Sequence, residues 1–198
     1  MARLEVQLVD ESGRRIGFGD RWRTHRVTQG PDGPILGRKH VGITIACVDD
    51  SGGVLIAHRK HRVFDKVWTL SGDTHPYRYQ GEPRVETLSH AARRCAMDDL
   101  GVEIAGWAKK LTFAYAARDP RDPRYCENEL LHIMVAKYGG PLRVNPKNAY
   151  QARWVELSEI LKDSESDLKK EPLDRKYAPW VHPLVALPRG KIKSAFRP

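Results

Sequence analysis

Asp73 and His75 stand two residues apart in the stretch Ser71–Pro76, Ser-Gly-Asp-Thr-His-Pro. A carboxylate and an imidazole are groups that transfer protons or ligate metal ions. A turn by itself would use the glycine and the proline but would not need this polar pair. Downstream, Glu86–Val102 reads as a helix in which Arg94 and Asp98 are four residues apart on one face. Ala91, Ala92, Ala96 and Leu100 fall on the other side. A surface helix with one salt bridge would explain that much. The order of its other polar residues needs a further reason.

The elements that must position these residues are readable from apolar patterning. Leu4–Val9 alternates as a strand, Val41–Val48 is a buried β-branched strand, and Asp-Asp-Ser-Gly-Gly turns it into Val54–His58. Val67–Leu70 is a short strand leading into the Asp73/His75 stretch, after a basic loop over 59–66. Glu86–Leu100 is a helix stopped by Gly101. Leu111–Ala116, Leu130–Ala136 and Arg153–Val155 are strands, Leu157 opens a helix, and Tyr177–Leu187 reads as a last helix entered through Pro179. Residues 28–37, with three glycines and two prolines, read as a loop, and 188–198 as a mobile basic tail. Strands mixed with two or three helices give an α/β (α+β) sandwich.

Bulk composition narrows the partners. The 198 residues suffice for one compact domain with a core. A net charge of +9 suits anionic ligands such as phosphates or nucleic acid. Cys47, Cys95 and Cys126 are odd in number and widely spaced, which argues against a disulfide or zinc framework and fits a reducing, cytoplasmic setting. No apolar run approaches a membrane span, and the N-terminus lacks the apolar segment of a signal peptide.

In order, Gly81, Glu86, Arg94, Asp98, Asp99, Gly101 and Val102 resemble the Nudix signature G-x5-E-x7-R-E-U-x-E-E-x-G-U, where U is apolar. The resemblance implies a Nudix-fold α/β/α sandwich with a mixed central sheet, whose acidic helix face holds Mg²⁺ against a diphosphate. The Gly81–Glu86 gap is one residue short, the acidic pair is two aspartates, and Cys95 stands where the signature has a glutamate. The missing glutamate argues against ordinary Nudix hydrolysis and toward a branch that binds a diphosphate without cutting it.

From about Leu4 to Ala186 the chain also resembles the type 1 isopentenyl-diphosphate isomerases, a branch of that superfamily. The resemblance lies in "RWRTHR", "GRKHVGITIACV", "THP", "YCENELLHI" and "APWVHPLV". It implies one domain over 1–198, with 1–40 as an N-terminal extension bearing ligand histidines. It implies that His25, His40, His75, Glu127 and Glu129 hold one divalent metal (Mn²⁺, Mg²⁺ or Zn²⁺), and that Asp99 shares Mg²⁺ with the diphosphate. Glu127 and Glu129, two apart on a strand, would point to one face. Glu129 becomes an acid/base, Tyr115 its neighbour, and Trp180 the aromatic face for a carbocation. Arg21, Arg59 and one of Lys60, Arg62 or Lys66 become the diphosphate cations. The family's catalytic cysteine lies two residues before the loop histidine, and Asp73 occupies that place. A buried carboxyl can carry a proton in its stead. Two other readings stay open: an enzyme acting on another prenyl or small diphosphate, by hydrolysis or carbocation chemistry, and a non-catalytic diphosphate or RNA binder. No RNA-stacking signature supports the RNA case.

Overall fold

The computed structural model describes residues 3–197. In chain order it contains β1 (Leu4–Val9), β2 (Arg15–Asp20), α1 (Arg21–Thr24), β3 (Thr28–Gly30), β4 (Gly33–Ile35), β5 (His40–Val48), β6 (Gly53–Arg59), β7 (Trp68–Thr69), β8 (Gly72–Thr74) and β9 (Tyr77–Tyr79). Then come α2 (Leu88–Leu100), β10 (Ala108–Arg118), β11 (Cys126–Lys137), β12 (Ala149–Glu156), α3 (Leu157–Asp167) and α4 (Arg189–Ala195). Short 3₁₀ turns occupy Pro172–Asp174 and His182–Ala186.

The mixed sheet runs β10-β11-β5-β1-β2, with β8 also on β5, β9 on β1, and β12 joined through β6. β11 and β5 are parallel, whereas β10–β11 and β5–β8 are antiparallel. All nine residues of β5 are buried. That matches its β-branched, continuously apolar sequence, which suits a strand covered on both faces. Ile43, Ile45 and Cys47 point to one side, against Ala91, Ala92, Cys95, Ala96 and Leu100 of α2. Ala46 and Val48 point to the other, where Ile160 and Leu161 of α3 meet Trp180, Leu184, Ile192 and Phe196. The result is an α/β/α sandwich.

α2 starts at Leu88 rather than Glu86, because the Thr87 side chain accepts a hydrogen bond from the His90 N–H and caps it. Gly101 closes it in the left-handed region at φ 65°. Three expectations are corrected. Residues 28–35 form the β3–β4 ribbon rather than a loop, turning through Pro31 and Asp32. Residues 177–187 do not form one helix: Pro179 and Pro183 interrupt it, leaving a 3₁₀ turn at His182–Ala186. The expected mobile tail contains α4, with Ile192, Ala195 and Phe196 buried in the core.

Candidate active site and metal centre

The site begins at the first residue of β5. Parallel register sets His40 beside Glu129 of β11, and antiparallel register sets Tyr115 of β10 opposite Glu129. The Tyr115 hydroxyl donates to Glu129 Oε2 at 2.5 Å. Gly42 lies next on the same face of β5. A Cβ there would sit 2.2 Å from Glu129 Oε1, so only glycine leaves room for the carboxylate. Glu127, two residues earlier on β11, shares the face. His25 enters from the end of α1, and His75 from the turn after β8.

These side chains converge. His25 Nε2 is 3.0 Å from Glu127 Oε2 and 3.3 Å from His75 Nε2. His75 Nε2 is 3.0 Å from Glu129 Oε1, and His40 Nε2 is 3.6 Å and 3.5 Å from Glu127 Oε2 and Glu129 Oε1. One ligand atom each from His25, His40, His75 and Glu127 lies within 4.8 Å of the others, and all four residues are buried. His25 Nδ1 donates to the Arg21 carbonyl (2.5 Å) and His40 Nδ1 to the Arg38 carbonyl (2.8 Å). Those bonds fix the tautomers and leave both Nε2 lone pairs facing inward. His40 Nε2 and Glu127 Oε2 are buried without a hydrogen-bond partner. Buried lone pairs aimed at one point suit a divalent cation, and the His/carboxylate donor set is one that Zn²⁺, Mn²⁺ and related ions accept.

A second carboxylate occupies the same cavity in different company. Asp73 of β8 lies opposite Thr44 of β5. Its Oδ1 accepts from Thr44 Oγ1 (2.8 Å) and Thr69 Oγ1 (2.9 Å), and its Oδ2 accepts from Arg59 (3.1 Å). Burial outweighs these partners and raises its pKa to about 6. Glu129 moves the other way: burial and the Glu127 charge push it up, but bonds from His40 and His75 prevail and bring it to about 2. Two carboxyls whose environments drive their affinities apart are the ordinary arrangement of an acid and a base. Trp180 is linked to each through a partner: its Nε1 donates to Thr69 Oγ1 at 2.9 Å, and its ring lies 6.1 Å from that of Tyr115. Phe64 meets it edge-on at 5.5 Å, and the Arg59 guanidinium lies 5.3 Å from its ring centroid.

The cavity holds about 960 Å³ and is lined by Arg21, Arg59, Lys60, Asp73, Asp99 and Trp180 among others. Two expected cations do not line it. Arg62 is exposed and lies over the rings of Trp22 (5.3 Å) and Tyr125 (5.0 Å), and Lys66 is exposed in a left-handed turn at φ 58°. Lys60 reaches the wall, but its Nζ donates to the Pro146 carbonyl at 2.9 Å. Asp99 comes from α2. It accepts from Asn148 (2.7 Å) and from the Cys95 thiol (3.4 Å), and burial raises its pKa. Sequence reasoning missed Gly42, Thr44, Thr69 and His61. Only Gly42 carried a signal, as a glycine inside a β-branched run.

The family model of the NUDIX domain matches residues 38–181. The chain belongs to the Nudix family. Within that signature, Glu86 and Arg94 pair through two contacts of 2.8 Å, and Arg94 also donates to the His75 carbonyl at 2.9 Å. The two Nudix positions thus brace the turn that carries a histidine of the cluster. The chain is 27% identical to the isopentenyl-diphosphate Delta-isomerase of Enterobacter sp. (strain 638), covering 95% of this chain and 92% of that one. It is 29% identical to the enzyme so named from Nocardia farcinica, covering 90% of each. Among solved structures, DR0079 from Deinococcus radiodurans superposes with a TM-score of 0.62 at 16% identity, over 92% of this chain and 97% of its own. The ADP-ribose-bound Nudix domain of Shewanella oneidensis NrtR gives 0.51 at 14% identity, over 79% and 88%. These two likenesses show the Nudix fold.

Proposed function

We propose that the protein is a metal-dependent isomerase interconverting isopentenyl and dimethylallyl diphosphate. The observation that carries the reading is the pair of buried carboxyls Asp73 and Glu129 in one cavity with Trp180, whose indole is tied to Asp73 through Thr69 and lies beside the Tyr115 that binds Glu129. The similarity to isomerases of that name over most of the chain supports the substrate class.

The chemistry follows from the reaction's needs. Asp73, protonated in part near neutral pH, gives its proton to the terminal methylene carbon of the alkene. The π electrons form that C–H bond and leave a tertiary cation at the substituted carbon. The face of Trp180 is the group available to stabilise it. The Glu129 carboxylate, held by Tyr115, removes a proton from the adjacent methylene, and those electrons form the new double bond. Arg21 and Arg59, which line the cavity, are the cations assigned to the diphosphate. His25, His40, His75, Glu127 and Glu129 would hold a divalent ion, whose charge, when bound, keeps Glu129 ionised. Asp99 is the residue to share Mg²⁺ with the diphosphate. The large cavity favours one second reading, carbocation chemistry on a longer prenyl diphosphate.

The test is turnover of isopentenyl diphosphate in D₂O with Mg²⁺ and Mn²⁺. Deuterium-labelled dimethylallyl diphosphate is expected, and Asp73→Ala should lower kcat by about 10²–10⁴. A different cyclic or rearranged prenyl product would favour the second reading. Phosphate release without isomerisation, or an Asp73→Ala variant as active as the parent, would overturn the proposal.

A further inference from the structure

His61 lies in the basic loop between β6 and β7, lines the cavity, and has no part in the chemistry above. Its ring touches two of the arginines that line the cavity, Arg59 and Arg21. Arg59 NH2 is 2.9 Å from His61 Nδ1, and Arg21 NH2 is 3.3 Å from His61 Nε2. Its plane lies within 13° of that of Trp22, at a centroid distance of 6.3 Å. Burial and the two guanidinium charges push its pKa down to about 3, so the imidazole is neutral.

A neutral imidazole has one N–H and one lone pair, and a guanidinium can only donate. Both arginines therefore cannot be satisfied by the ring. Nδ1 receives two donors, Arg59 NH2 at 2.9 Å and the Val63 N–H at 3.2 Å, against one nearby acceptor, the Val63 carbonyl at 3.2 Å. The shorter contact and the majority of partners assign the lone pair to Nδ1 and the hydrogen to Nε2. Nε2–H then faces the Arg21 N–H at 3.3 Å, donor against donor. Such a pair is satisfied by an acceptor placed between the two groups. The strongest acceptors for a guanidinium beside a neutral N–H are phosphate oxygens.

We infer that His61 Nε2–H and Arg21 together form a hydrogen-bonding clamp for a phosphoryl oxygen, and that His61 is a diphosphate-binding residue. The class of ligand rests on the reading of the cavity as a diphosphate site, but the clamp does not depend on isomerisation. Arg59 is held by Nδ1 on the far side of the ring, so the clamp also ties the anion to the arginine that pairs with Asp73.

The two nitrogens can be tested separately by amide substitution. In His61→Gln the amide nitrogen takes the place of Nε2–H. In His61→Asn the amide oxygen takes the place of Nδ1, keeping an acceptor for Arg59 but losing the donor beside Arg21. Binding of inorganic pyrophosphate to the full chain is measured by calorimetry, with melting temperatures as the check on folding. The expected result is that His61→Asn weakens pyrophosphate binding about ten- to hundredfold, while His61→Gln stays within a few-fold of the parent. Equal affinity in His61→Asn and the parent overturns the proposal, as does a parent that does not bind pyrophosphate. Loss in both variants with unchanged melting overturns the donor assignment. Pyrophosphate binding with this pattern, in a chain that does not turn over isopentenyl diphosphate, leaves the clamp standing and removes the isomerase reading.

Discussion

At the scale of single residues the histidine–glutamate cluster depends on a missing side chain. Gly42 faces Glu129, and a Cβ would come within 2.2 Å of its Oε1 and 2.6 Å of its Oε2. Gly42→Ala must therefore displace the carboxylate while leaving the apolar face of β5 alone. The expected outcome is loss of bound divalent metal by elemental analysis and a fall in kcat of about 10²-fold or more, with little change in melting temperature. Retained stoichiometric metal in that variant would show that Glu129 is not held where Gly42 permits. The histidines and glutamates of the cluster were legible in the sequence through the resemblance of their local motifs to the isomerase family, since no one of them alone announces a ligand. Gly42, Thr44 and Thr69 were not. Their roles come from strand register, which sets Thr44 opposite Asp73 and His40 beside Glu129. Register is fixed by pairing between segments far apart in the chain. Arg62 and Lys66 show the converse: a basic loop announces cations, but its turn geometry decides which ones face the cavity.

At the scale of elements, α2 serves the site mainly through one residue. Arg94 holds Glu86 by two bonds, and donates to the Thr74 hydroxyl (3.2 Å) and the His75 carbonyl (2.9 Å). It therefore fixes the path of the chain between β8 and β9, which carries His75. Arg94→Lys keeps the charge but cannot make this forked set of contacts. It is expected to lower metal affinity about tenfold and to cost about 1–3 kcal/mol, read by metal titration and by denaturant unfolding. Unchanged metal affinity would remove the brace from the account of the site. The C-terminal end of α2 could be read from the sequence because Gly101 is a local stop signal, whereas its start was read two residues early, at Glu86, because the capping role of Thr87 was missed. The last 22 residues could not be read in this way. Two prolines disrupted the helical pattern, and the short apolar repeat in α4 was masked by its lysines and arginine.

At the scale of the whole molecule, the C-terminal segment closes the layer that holds Trp180. Ile192 and Phe196 are 0% and 3% exposed, in the same core as Trp180 and Leu184. Phe196→Ala should cost about 3 kcal/mol, the low end for such a truncation because a terminal helix can shift. That corresponds to a melting temperature lower by roughly 6–12 °C.

The same layer is pinned by a buried acid. Asp167, 1% exposed at the end of α3, accepts from the Lys176 N–H (2.7 Å), the Tyr177 N–H (2.8 Å) and His182 Nε2 (3.1 Å). Burial alone would raise its pKa, but these donors outweigh it and hold the carboxyl below its usual value of 3.8. A carboxyl with a lowered folded pKa contributes stability that is complete above the unfolded value and is lost as pH falls toward the folded one. His182 also sits below its ordinary 6.5, chiefly through burial, with Arg175 adding to the effect against Asp167. Its contribution is lost in an earlier window, as pH falls through the unfolded value. Asp167→Asn keeps one acceptor oxygen but no charge, and should melt about 4–8 °C below the parent at pH 7, from a loss of about 2 kcal/mol. Melting temperatures from pH 7 to 3 separate the two groups. The gap between parent and variant should persist to about pH 4 and narrow below it, as the parent's Asp167 takes up its proton. A gap that stays constant down to pH 3 would mean that the carboxylate charge does not hold the Trp180 segment against α3.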